Sequence, residues 1–174
     1  YFLPKSYLLY VGTIEERKNL HRLVAAMAEL RIPLVAVGQK TDYYSKVESA
    51  LKGTWLENHF HHLSNVTQQQ LAALYQKARL FVYPSRYEGF GIPIIESLHS
   101  GTPVITGMGC LQEAAGPGGI SVDVMNVDAL TVAIQNTLNN EELLNYLRLA
   151  GLEHVKQFTD SEIWQTWNEV YTSL

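Results

Sequence analysis

The sequence predicts an α/β fold, a doubly wound parallel sheet, and three observations predict it. Short unbroken apolar runs end at glycine or proline, segments with apolar residues at helical spacing lie between them, and the two kinds alternate along the chain. Unbroken runs indicate strands buried on both faces, as parallel sheets with crossover helices require. The first run, Tyr7 to Val11, stops at Gly12-Thr13. After a charged loop, Leu20, Leu23, Val24 and Met27 mark a helix expected to start at an Asn19 cap. Leu34 to Val37 closes at Gly38 and precedes a helix from about Tyr43 to Leu51, rich enough in Lys and Glu to lie on the surface. A weaker strand covers His59 to Leu63, and Thr67 starts a helix with Leu71, Leu74 and Tyr75 on one stripe. Leu80 to Tyr83 is a strand stopped by Pro84, a helix follows from about Pro93, and Pro103 to Thr106 is another buried strand. Beyond Gly107 the pattern loosens through Gly109, Gly116, Pro117, Gly118 and Gly119. A brief strand at Ile120 to Val122 then precedes helices near 127–138 and 141–155. A last amphipathic segment carries Ile163, Trp164, Trp167, Val170 and Tyr171, and either covers this core or packs on something outside it. The whole reads as one Rossmann-like domain spanning 1–174.

The chain's 174 residues suit one domain, and 47% hydrophobic with 17% charged residues argues against disorder. Thirteen Lys and Arg against 17 Asp and Glu give a net charge of -4, so a general nucleic-acid or anionic-membrane surface has no support and any anion site must be local. The single Cys110 excludes an intrachain disulfide framework and a cysteine-based zinc cluster, and fits a reducing compartment. No apolar run approaches the ~18 residues of a membrane span, and no signal-peptide pattern opens the chain. A cytoplasmic protein is expected.

Ligands of open parallel sheets bind beyond the carboxyl ends of the strands, so the loops there carry the chemistry. The first reads GTIEERKN, with Arg17 and Lys18 just before a helix and His21 and Arg22 in its first turn. A helix N-terminus disfavours cations by a few tenths to ~1 kcal/mol each, so the cluster points to a bound anion; a basic edge neutralised by Glu15 and Glu16 is the other reading. In the loop PSRYEGFGIPIIE, Gly89 and Gly91 flank Phe90, and Pro93 suits the first helical position. The amides from Gly91 to Ile95 would then face outward at a positive helix terminus, a geometry that binds phosphate. Glu96, one turn in, can accept two hydrogen bonds from a vicinal diol, or be a surface glutamate favoured by the helix dipole. Glu88 could meet a sugar hydroxyl or positive charge developing at an anomeric carbon, or be an ordinary loop residue. The loop TGMGC, Thr106 to Cys110, offers a second close backbone approach, or a turn for packing alone. His59, His61 and His62 lack a nearby carboxylate or cysteine to complete a metal site, and the glycines from Gly116 to Gly119 do not form a dinucleotide fingerprint.

Together YVGTIEERKNL, VTQQQLAALYQKARLFVYPS, EGFGIPIIE and SGTPVITG resemble the C-terminal domain of glycosyltransferase family 4 enzymes of the GT-B fold, over about Leu8 to Leu138. Glu88 and Glu96 have the spacing of that family's E-x7-E signature. The resemblance implies a nucleotide-diphosphate-sugar donor, UDP- or GDP-linked, bound by this half. It also implies a second, N-terminal half that holds a glycan or lipid-linked acceptor, with residues 156–174 a helix packing on it and peripheral association at the inner membrane face entering through that half. On this pattern Lys18 and Arg17 neutralise the diphosphate leaving group, Glu96 holds the ribose, and Glu88 faces the donor sugar. Phe90, Gly91 and Ile92 supply backbone donors, Gly12 lies in the first loop, and the loop at Asn65 and Val66 receives the base. Hexosyl transfer with retention and without an obligatory metal is also implied. The chain departs from the pattern at Thr13, where many members carry arginine, and at GMGCLQE, where serines and a Pro-Glu pair are usual. A non-catalytic nucleotide-sugar-binding module and a GT-B-like sugar-nucleotide epimerase are the alternatives.

Overall fold

In the computed structural model, which describes residues 3–159, strands and helices alternate as the apolar runs require. The strands are β1 (Leu8–Val11), β2 (Leu34–Val37), β3 (Phe60–Leu63), β4 (Leu80–Tyr83), β5 (Val104–Thr106) and β6 (Gly119–Ser121). They form one parallel sheet in the order β3-β2-β1-β4-β5-β6. The helices are α1 (Leu20–Ala26), α2 (Tyr44–Leu51), α3 (Gln68–Lys77), α4 (Ile92–His99), α5 (Cys110–Ala115), α6 (Val127–Leu138) and α7 (Glu141–His154).

Successive strand side chains point to opposite faces, and each face has its own core. Leu8, Tyr10, Leu34, Ala36, Leu80 and Val82 pack against α1, α2 and α6. Leu9, Val11, Val35, Phe81, Tyr83 and Val104 pack against α3, α4 and α5. Helices therefore cover both sides, the doubly wound arrangement expected of the pattern. The strand order reverses between β1 and β4, and at that switch point the loops after the two strands open a crevice beyond the sheet.

Several local expectations need adjustment. Asn19 occupies the cap position of α1 but makes no capping bond; it is left-handed (φ 53°), and its Nδ2 donates to Pro84 O (3.2 Å) instead. Pro93 takes the second helical position because Gly91, at φ 95°, is the cap. The loose stretch after Gly107 contains the short helix α5, and β6 starts one residue earlier than its apolar residues suggest. The helix expected at 156–174 lies outside the described residues beyond Thr159; its first residues form a 3-10 turn, Val155–Phe158.

Candidate functional site

The crevice at the switch point is occupied by a knot of charge. Arg17 and Lys18 end a 3-10 turn, Glu16–Lys18, on the β1 side, and Glu88 lies on the β4 side. Arg17 Nη1 is 2.6 Å from Glu88 Oε1, and its Nη2 is 2.8 Å from Glu15 Oε1. Lys18 Nζ is 3.4 Å from Glu88 Oε1 and donates to the Tyr83 hydroxyl (3.1 Å). That hydroxyl and Ser85 Oγ each donate to Glu88 Oε1 at 2.9 Å. Backbone bonds join the loops as well: Arg86 N–H donates to Arg17 O (2.8 Å), and Arg17 Nη1 to Tyr87 O (3.1 Å).

Lys18 is only 9% exposed, and a buried ammonium must be paired and hydrogen-bonded. Its path to the crevice runs over Gly12, where the backbone has φ 146° and a Cβ would lie 2.9 Å from Lys18 Nζ. Burial pushes the Glu88 carboxyl up, but hydrogen bonds from Arg17, Ser85 and Tyr83, with the Lys18 charge, outweigh it and hold the group below its ordinary range. The same Glu88 hydrogen bond raises Arg17. The result is a carboxylate held ionised at neutral pH and shared by the two cations.

Glu96 stands apart from this knot. It faces a groove of about 320 Å³ between α3 and α4, with Leu71, Tyr75, Ile92, Ile95 and His99 among its walls. Buried Tyr75 donates its hydroxyl to Glu96 Oε2 (3.1 Å), and burial together with the Glu96 charge raises the phenol well above its usual range, so it stays a donor. Ile92 is largely exposed at the mouth of the groove. Fewer amides are free at this helix terminus than expected: Pro93 has none, and Ile94 N–H is committed to Gly91 O (2.8 Å). A larger cavity of about 580 Å³, lined by Lys5, Tyr7, Leu74 and Lys77, lies at the amino end of β1, away from these groups.

The structure thus brings Gly12, Arg17, Lys18 and Glu88 together and sets Glu96 and Ile92 in the adjoining groove. Phe90 and Gly91 form the loop between the two. Val66 packs partly into the core after β3, beside Asn65, whose Oδ1 accepts from Gln39 Nε2 (2.9 Å). The proposed neutralisation of the basic loop by Glu15 and Glu16 is corrected: Glu15 does pair with Arg17, but Glu16 faces Lys46 (3.7 Å), and Glu88 is the carboxylate that both Arg17 and Lys18 share. His59 Nδ1 lies 2.8 Å from Trp55 O, and His62 Nε2 2.8 Å from Gly38 O. Sequence reasoning missed Tyr83, Ser85 and Tyr75, which orient the two glutamates. Tyr83 and Tyr75 read as core because they are core; only their hydroxyls reach the two carboxylates, and no spacing marks those. Cys110, at the end of the TGMGC loop, donates its thiol to Glu88 O (3.1 Å), a contact that the sequence did not suggest.

Residues 2–154 match the family model described as "Glycosyl transferases group 1". O-antigen chain mannosyltransferase B of Escherichia coli is 34% identical over 166 residues, 89% of this chain and 42% of that protein. Glycogen synthase of Mycobacterium tuberculosis is 29% identical over 91% of this chain and 39% of its own length, so the chain spans about two fifths of these relatives. Among solved structures, sucrose-phosphate synthase from Thermosynechococcus elongatus has a TM-score of 0.83 at 29% identity, over 99% of this chain and 47% of that one. HepE of Anabaena in complex with UDP has a TM-score of 0.86 at 19% identity, over 98% and 50%. The Rossmann-like sheet is that of GT-B glycosyltransferase structures.

Proposed function

Since the chain belongs to the glycosyl transferases group 1 family, we propose that it is the donor-binding half of a family 4, retaining hexosyltransferase that draws on a UDP- or GDP-linked sugar. Its acceptor, a glycan or a lipid-linked sugar, would be held by a second domain, at the cytoplasmic face of a membrane where the acceptor is lipid-linked. The observation that carries this reading is the knot at the switch point, where two cations from one loop converge on Glu88 from the other. The arrangement suits a diphosphate, which can draw on both cations as it enters. The donor class is supported further by HepE, whose structure has been determined with UDP-glucose.

In the reaction the bond from the anomeric carbon to the diphosphate oxygen breaks, and its electron pair leaves on that oxygen. The acceptor oxygen bonds to the same carbon, and its proton passes to the departing diphosphate. Negative charge therefore grows on the leaving group, and Arg17, Lys18 and the amino end of α4 are the fixed positive groups available to meet it, a role that needs no divalent cation. Glu88 lies beside the cations, where a carboxylate would stabilise positive charge developing on the donor sugar. Glu96, presented by Tyr75, would accept the ribose hydroxyls, leaving the base toward Val66.

Calorimetric titration of the complete natural chain with UDP, GDP and ADP, with and without a chelator, tests the reading. One nucleoside diphosphate should bind preferentially and independently of chelator. Lys18→Ala and Glu96→Ala should each weaken it about 10- to 100-fold, the value of a lost charge-assisted contact. Unchanged affinity in both variants would overturn the assignment.

A further inference from the structure

The loop between Glu88 and α4 is held at its two ends and bare in the middle. Glu88 is fixed by Arg17, Tyr83 and Ser85 through its side chain and by Cys110 Sγ at its carbonyl. Gly91 is fixed by the first turn of α4. Between them Gly89 meets nothing within 4 Å of where a Cβ would stand, and Phe90 is the one side chain from which this stretch can be gripped. Phe90 is 48% exposed. It meets the ring of Phe158 edge to face, with centroids 5.5 Å apart and planes at 78°.

Phe158 is itself well anchored. It ends the 3-10 turn Val155–Phe158 that follows α7, packs against the core beneath α4, and meets the His154 ring edge to face at 5.3 Å. The His154 ring in turn lies so close to Gly116 that a Cβ there would overlap it. A row of rings therefore runs from the end of α7 to the middle of the donor loop, joining residues nearly seventy positions apart. Where two flanking glycines leave the backbone free to sample many conformations, one ring contact decides how often the loop is in place.

We propose that Phe158 is a positioning residue for nucleotide-sugar binding: through Phe90 it holds the Gly89–Gly91 backbone and the start of α4 in the conformation that receives the diphosphate. The proposal rests on the donor-binding reading above. A loop ordered only part of the time weakens apparent affinity by the fraction of time it is out of place, so loss of the ring acts on binding while leaving the charged groups untouched.

The test is a double-mutant cycle on the complete natural chain, titrated with the nucleoside diphosphate that the wild type prefers, with thermal melting of each variant alongside. Phe158→Ala and Phe90→Ala should each weaken binding about 3- to 10-fold, the range of an aromatic pair contact. The double variant should be no weaker than the worse single one, because both act through one contact. Phe158→Tyr, which keeps the ring, should restore affinity, whereas Phe158→Leu, which keeps only bulk, should not. With nucleotide sugar as varied substrate, KM should rise with kcat little changed. Wild-type affinity in Phe158→Ala, additive losses in the double variant, or full rescue by leucine would each overturn the proposal while the donor-binding reading stands. A wild type that binds no nucleoside diphosphate would overturn that reading, and this one with it.

Discussion

Glu88 satisfies two cations with a single oxygen, and that economy makes its protonation state consequential. Its folded-state carboxyl lies below the ordinary range, against about 4.3 for an unfolded glutamate, so as pH falls the unfolded chain takes up this proton first. The stability it contributes is present at neutral pH and is lost as pH drops through the depressed value. Urea unfolding from neutral to acid pH should show that component, and Glu88→Gln should lack it. The same variant leaves Arg17 and Lys18 without their resident anion. It should therefore bind free nucleoside diphosphate at least as tightly as wild type while transferring sugar on the order of 100-fold more slowly; weaker nucleotide binding would contradict the shared-cation picture. At this scale legibility followed chemistry. Arg17, Lys18 and Glu88 could be singled out because they are charges in loops beyond strand ends, and Glu96 because it lies one turn into the helix that follows such a loop. Tyr83 and Tyr75 could not, since a tyrosine inside an apolar run satisfies the core first and its hydroxyl declares itself only when a carboxylate is found beside it.

Among the elements, the helices with strong local signals were the legible ones. Thr67 caps α3 by accepting from Gln70 N–H (3.2 Å), while the Gln70 side chain accepts from Thr67 N–H (2.8 Å). Such a reciprocal pair is written in the sequence itself. Thr67→Ala should cost about 1 kcal/mol, read as a lower urea midpoint with an unchanged slope. Because α3 also carries Leu71 and Tyr75 to the groove, the variant reports whether that wall tolerates fraying. The short helix α5 was hidden by its length and by glycines at both ends, Gly109 and Gly116, which read as loop. Asn19 misled for a related reason. Its residue type suits a cap, but its amide is used to tie the first loop to Pro84, a partner 65 positions away that no local pattern can reveal.

Across the whole molecule, the alternation of runs and helical segments fixed the class of fold, while the order of the strands had to be seen. That order divides the chain at a seam. The ladder between β1 and β4 pairs Leu8 with Leu80 and Leu9 with Phe81, whereas β1 and β2 pair at four positions. The early strands β1, β2 and β3 lie on one side of the seam in the sheet, and the later strands β4, β5 and β6 lie on the other. The first stretch contributes Arg17 and Lys18; the second contributes Glu88 and Glu96. A chain cut between α3 and β4 would therefore yield two pieces of opposite local character, neither holding a site. Any nucleotide spanning both would act as a molecular rivet, drawing them into register. On the donor-binding reading, the complete natural chain divided between residues 78 and 79 and co-expressed as two pieces should bind nucleoside diphosphate only on reassociation, and saturating nucleotide should raise the fraction that copurifies. Fragment complementation of this kind would turn occupancy of the crevice into a readout of assembly.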